Sequence, residues 1–202
     1  MNHYFKKLKL SRRQREIIVG TLLGDAHLET LTHGHTYRLR IAHSESQKEY
    51  IDWFYSELEN CAASPPHYKT IVVRDKKYGC YWFDTVYSGS LRFYAHQFYD
   101  NKIKKVPQSI TRLLTPLGLA VWYMDDGSIK SHQTKGRIIN TQGFMKQDVS
   151  RLIECLAKKF SIQSQLRRQK EGWQIFIPSA MHGLLQKTIG PYILPSMRYK
   201  LD

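Results

Sequence analysis

A chain of 202 residues, 42% of them apolar, is long enough for one large or two small domains and too apolar to stay disordered. Its apolar run Leu117 to Met124 falls far short of the roughly 20 residues that span a bilayer, so no membrane partner is expected. Thirty-one Lys and Arg against seventeen Asp and Glu leave +14, the balance of a nucleic-acid surface, since duplex DNA carries one negative charge per roughly 1.7 Å of axis.

The charge forms no tail and no basic amphipathic helix, which favours a folded basic face over a ribosomal or membrane-surface protein. Cys61, Cys80 and Cys155 are odd in number and lack C-x-x-C spacing, arguing for reduced thiols and against a zinc knuckle. The start "MNHYFKKLKLSRRQR" has no apolar h-region. The expectation is an intracellular protein, of a bacterial cytoplasm or an organelle matrix, and not a secreted one.

In chain order, a capping box at Ser11–Gln14 opens a helix carrying Ile17, Ile18, Leu22 and Leu23, which ends at "GTLLGDAHLE" with Asp25 after Gly24. "TYRLRIAHS" alternates as a strand. A second capping box at Ser46–Glu49 opens a helix with Ile51, Phe54, Tyr55 and Leu58 on one face. "SPP" breaks the chain, "YKTIVVRD" and "YWFDTVYS" read as strands, and Leu91 to Phe98 as a short helix. Thr115–Pro116 then starts a helix running to Asp126. A strand "RIINTQ", a helix with Val149, Leu152, Ile153 and Leu156, strands "IQSQLRRQ" and "WQIFI", and a helix from Ser179 to Lys187 complete the chain.

The order of elements repeats, with Asp25 and Asp126 half a chain length apart. Such long-period self-similarity indicates an internal duplication. The predicted fold is mixed α+β, with two αββαββα halves related by a pseudo-twofold. Residues 1–99 form the first half, 100–115 a lysine-rich linker, and 116–202 the second half.

Both acid-ended helices are apolar nearly all round, so both are expected to be buried, and Gly20, Gly24, Gly118 and Ala120 would let them pack closely. Asp125 and Asp126 have the wrong sign for a helix C-terminus. Packed side by side, the helices would deliver Asp25 and Asp126 to one place among unpaired carbonyls, and a hard divalent cation resolves that crowding. Alone, "DDG" or "GDAH" is an ordinary turn; a matched pair at equivalent points of a repeat points to a site.

"IVGTLLGDA" (18–26) and "LAVWYMDDG" (119–127) resemble the paired signature of LAGLIDADG homing endonucleases, in the single-chain form encoded by mobile group I introns. "SPPHYK", "KKVPQSI", "LTPLGLAVWYMDDGS", "NTQGF" and "PYILPSMRYKL" extend the resemblance over almost the whole chain. It implies that Asp25 and Asp126 hold catalytic metals, with backbone carbonyls from Gly24 and Asp125. Mg²⁺ is the implied ion, Mn²⁺ its substitute, and Ca²⁺ an ion that binds without supporting cleavage. It also implies catalytic lysines, Lys104 in "IKKVP", with Lys105 its competitor, and Lys200 in "MRYKL". The motif's third position is kept as Gly20 but becomes Val121, which leaves the packing asymmetric.

Base reading is expected from strands, since a two-stranded ribbon fits the major groove and Arg and Gln pair bidentately with guanine and adenine. Gln163, Gln165, Arg167 and Gln169 alternate along one strand, and Gln174 joins their face from the next. In the first half Arg38 and Arg40 alternate with Leu39 and Ile41, and Arg74 and Lys76 share a face of the third strand. Lys135 and Arg137 are expected on phosphates, which position without specifying. "HGH" at 33–35 reads as a loop, His27 as a strand residue touching DNA backbone, and Trp53, Trp82, Trp122 and Trp173 as core.

The sequence therefore predicts a monomeric, Mg²⁺-dependent endonuclease cutting both strands of a long, asymmetric duplex DNA site. Its alternatives are a maturase, binding intron RNA on the same scaffold, and a silent DNA-binding regulator.

Overall fold

The computed structural model describes residues 7–130 and 136–202, with the Val73 side chain left aside. Its helices and strands are α1 (Arg12–Leu23), β1 (His27–Glu29), β2 (Arg38–Ser44), α2 (Lys48–Leu58), β3 (His67–Val73), β4 (Lys76–Asp84), α3 (Arg92–Phe98), β5 (Tyr99–Asp100), β6 (Ile103–Lys104), α4 (Ile110–Leu113), α5 (Pro116–Asp126), β7 (Gly127–Ile129), β8 (Arg137–Asn140), α6 (Lys146–Phe160), β9 (Gln165–Gln169), β10 (Gly172–Ile177) and α7 (His182–Ile189). Two compact units result. One comprises Met1–Arg15 with Asp25–Ala95, the other Glu16–Gly24 with His96–Asp202.

In the first unit an antiparallel sheet has the order β1-β2-β4-β3. Leu39, Ile41 and Phe83 from this sheet meet Tyr50, Ile51, Phe54 and Leu58 of α2, and all are essentially inaccessible to water. The alternation in β2 makes this possible, because strand geometry sends Leu39 and Ile41 inward and Arg38 and Arg40 to the opposite face. The Ser11 capping box forms as the sequence predicts: Gln14 N donates to Ser11 Oγ (3.1 Å) and Ser11 N to Gln14 Oε1 (3.0 Å). The box at Ser46 does not. Glu45–Gln47 is a separate 3-10 turn, α2 starts at Lys48, and Ser46 Oγ lies 2.9 Å from Ser44 Oγ instead.

The second unit repeats the topology, with an antiparallel sheet in the order β7-β8-β10-β9 backed by α6. Val149, Leu152, Cys155 and Leu156 are buried on that helix. Residues 100–115 are more structured than a linker: they include the β5–β6 ribbon and α4, and bury Val106, Ile110 and Leu114. Thr115 caps α5 by accepting from Gly118 N at 3.2 Å, with Pro116 in the first turn. Among the described residues no helix is long and apolar enough to cross a membrane.

The Glu16–Leu23 part of α1 lies against α5 inside this unit, with Gly24 just beyond its end, and every residue from Leu117 to Met124 is buried. Glycine sets the closeness of the two helices. A Cβ on Gly20 would collide with the Gly118 carbonyl oxygen and stand 2.8 Å from Val121 Cβ; one on Gly118 would stand 3.0 Å from the Glu16 carbonyl oxygen. Backbone thus rests on backbone.

Gly20→Val should lower unfolding free energy by about 1–3 kcal/mol, because neither neighbour is a flexible side-chain end. Gly183→Ala, in α7 with nothing within 4 Å of the added carbon, should be neutral or slightly stabilising. Denaturant melts of the two variants check this, and equal midpoints would refute the close-packed interface.

Candidate active site

The last turns of α1 and α5 contain no basic residue of their own. Two distant lysines fill that role. Lys104 Nζ, from β6, donates to the Gly24 carbonyl at 2.6 Å, and Lys200 Nζ donates to the carbonyls of Met124 and, at 2.9 Å, Asp125. An ammonium at each helix end offsets the partial negative charge of the terminal carbonyls. The Lys105 backbone N–H is bonded to Phe98 O at 2.7 Å, and it is the Lys104 side chain that reaches the helix end.

The acids are held as well. Thr21 Oγ1 donates to Asp125 Oδ2 at 3.1 Å, so α1 grips a carboxylate of α5. Trp122, one turn before Asp126, donates Nε1 to Asp126 Oδ2 at 3.2 Å, and Asn140 Nδ2 donates to the Asp126 carbonyl at 3.0 Å. Tyr123, whose phenol burial pushes far above its ordinary range, donates to the Lys200 carbonyl at 2.9 Å and fixes the segment that carries that lysine. Asp126, Lys104, Gly24, Asn140 and Gln142 help line a hollow of about 320 Å³.

Asp25 follows Gly24 directly and is half exposed, its Oδ2 3.6 Å from Nδ1 of the buried His43. Carboxylate and carbonyl oxygens are the donors Mg²⁺ prefers, so these residues suit a hard divalent ion. The Gly24 and Asp125 carbonyls, expected as further donors to the ion, each accept a lysine ammonium N–H in this structure.

Gln165, Arg167 and Gln169 share a face of β9 with Gln174, which pairs directly across from Arg167, as expected. Gln174 is nevertheless buried and donates to Asn140 Oδ1 at 2.7 Å. Lys76 is exposed at the start of β4, and Arg38 and Arg40 are half buried on the outer face of β2.

Several placements require correction. Gln163 precedes β9, which begins only at Gln165. Arg74 and Asp75, at φ 49° and 62°, form the β3–β4 turn, so Arg74 shares no strand face with Lys76. Arg137 is no phosphate contact: it is 3% exposed and donates Nε to the Leu201 carbonyl at 3.0 Å, anchoring the chain's last turn. Lys135 lies outside the described residues. Of the four tryptophans only Trp122 is fully buried, while Trp82 lies 4.9 Å below the Arg40 guanidinium.

The family model of LAGLIDADG DNA endonucleases matches residues 15–183. The chain belongs to that family. Among LAGLIDADG relatives, DNA endonuclease I-ChuI of Chlamydomonas applanata is 30% identical, with 96% of this chain and 97% of the relative covered. Cytochrome b mRNA maturase bI2 of Saccharomyces cerevisiae is 33% identical over 92% of this chain, which spans 46% of that relative. The solved homing endonuclease I-WcaI, bound to its DNA recognition sequence, superposes with TM-score 0.91 at 27% identity, covering 96% of this chain and 88% of I-WcaI. The LAGLIDADG fold read from the paired motifs is thus present.

The sequence reading missed Thr21 and Asn140 and took Trp122 as core alone, although the four-residue spacing of Trp122 and Asp126 on one helix face was visible there. Lys104→Met keeps the side-chain stem and removes the ammonium from the α1 end. Its expected cost is about 1 kcal/mol of stability, against under about 0.5 for Lys105→Met. Urea denaturation separates the two, and equal losses would remove Lys104 from the helix end.

Proposed function

We propose that this chain is a site-specific endonuclease that hydrolyses phosphodiester bonds on both strands of a long duplex DNA target, with divalent metal ions. The observation that carries the reading is the pair of helices packed backbone to backbone, each ending in an aspartate with a lysine on its terminal carbonyl. The likeness to I-ChuI and to DNA-bound I-WcaI supports the substrate class.

Asp25 and Asp126 would hold the metal ions, with Mg²⁺ the working ion, Mn²⁺ a substitute, and Ca²⁺ a ligand that supports no cleavage. When bound, such ions supply water activation and neutralise charge on the phosphate and leaving oxygen. Trp122 orients the Asp126 carboxylate by donating its indole N–H to one oxygen. Lys104 and Lys200, already at the helix ends, would meet the growing charge of each scissile phosphate. Gln165, Arg167 and Gln169 of β9 and Arg38, Arg40 and Lys76 of the first sheet would lie toward the DNA.

The protein is proposed to act as a monomer, since one chain carries both acidic helix ends. A second reading, RNA binding in the manner of a maturase, rests on the 33% identity with bI2. Retention of both aspartates favours cleavage.

The test is cleavage of the intron-less form of the host gene with Mg²⁺ or with EDTA. Wild type should cut both strands with Mg²⁺ only, and Asp126→Asn should lose cleavage while keeping duplex affinity within about threefold, because binding rests chiefly on phosphate contacts. Metal-independent cutting, or loss of DNA binding in the variant, would overturn the metal role of Asp126. Tight intron-RNA binding without cutting would favour the maturase.

A further inference from the structure

The outer face of the first sheet carries two carboxylates that its basic composition conceals. Glu29 on β1 is the cross-strand partner of Arg38, and Asp84 on β4 that of Arg40. Arg38 directs Nε and Nη2 to Glu29 Oε2 (2.8 and 2.6 Å) and Nη1 to Asp84 Oδ2 (2.9 Å). Arg40 does the converse, with Nε and Nη2 on the two Asp84 oxygens (2.7 and 2.8 Å) and Nη1 on Glu29 Oε1 (3.2 Å). Each guanidinium is therefore held by all three of its nitrogens.

Aromatic rings support the arrangement, Trp82 4.9 Å from Arg40 and Tyr87 5.2 Å from Arg38. The pairing also shows in the acid–base properties. Burial alone would raise the Glu29 carboxyl, yet hydrogen bonds from Arg38 and His27 and the charge of Arg40 bring it below its ordinary range.

A square of two cations and two anions is neutral, so it adds nothing net to the attraction for phosphate. Guanidiniums clamped this firmly cannot swing out to the DNA backbone, and they lose little rotamer freedom on meeting a base. With five N–H donors per guanidinium and three spent on carboxylates, each arginine keeps a pair, the number that guanine O6 and N7 require. Every carboxylate oxygen of the square already faces an arginine N–H of the same square.

We propose that Glu29 and Asp84 are specificity-determining positioning residues, which fix Arg38 and Arg40 as guanine readers and hold them off the phosphates. The proposal rests on the DNA-cutting reading above. It carries an unusual sign: removing an acid should strengthen non-specific binding while weakening discrimination.

Glu29→Gln and Asp84→Asn are near-isosteric and remove one charge each. Wild type and variants would select from a pool of duplexes randomised across the site, with bound sequences read out. Affinities for the selected and a scrambled duplex would then follow across salt concentrations. Wild type should select guanine at two nearby positions of one half-site. Each variant should lose about tenfold discrimination at those positions alone. It should also bind the scrambled duplex more tightly, with a salt slope steeper by roughly 0.9 per phosphate newly contacted.

Unchanged preference at every position, or parallel loss of selected and scrambled binding, would overturn the proposal; the latter marks a merely structural role. Should Asp84→Asn fail to fold, Glu29→Gln, partly exposed on the short outer strand, gives the same readout. A wild type that selects no sequence would refute the site-specific reading itself, whereas normal selection by wild type with preference intact in both variants refutes only this one.

Discussion

The contact on which the C-terminal unit depends is the meeting of Gly20 with Gly118, where one helix backbone touches another without intervening side chains. A side chain at either point would push the helices apart and carry Gly24 away from Asp125. Gly24 shows how little slack exists, since a Cβ there would collide with the Asp125 carboxylate. Close packing thus fixes which functional groups sit at the helix ends, and glycine is the only residue small enough to permit it.

That closeness creates an electrostatic difficulty that the chain resolves in two ways. Helix ends gather partial negative charge, and here they also carry carboxylates. Lys104 and Lys200 arrive from separate segments to hold the terminal carbonyls, while Thr21 and Trp122 bond carboxylate oxygens. Thr21 orients the Asp125 carboxylate and Trp122 that of Asp126. The first sheet follows the opposite rule, pairing each arginine with acids until the cluster is neutral. There positive charge is held in a fixed geometry by the acids beside it.

Much of this was legible in the residues. Helices announced themselves by 3.6-residue apolar spacing, the duplication by its repeated order, and the buried pair by small residues at Gly20 and Gly118. What escaped detection depends on partners remote in sequence. The three-residue strand β7 exists only through pairing with β8. Arg137 looks like a surface cation until the Leu201 carbonyl arrives beside it. Gln174 reads as a base contact until Asn140 takes its amide. Ser46 has the residues of a capping box, but the 3-10 turn before α2 moves the helix start past it. Local pattern sets which face a residue occupies; tertiary neighbours decide what that residue is left to do.

Anomalous scattering from crystals grown with a duplex target and Mn²⁺ would locate the ions directly. They should lie within coordination distance of both the Asp25 and Asp126 carboxylates. Manganese bound elsewhere, with those two carboxylates bonded only to protein groups, would contradict the assignment of the helix ends as the metal centre.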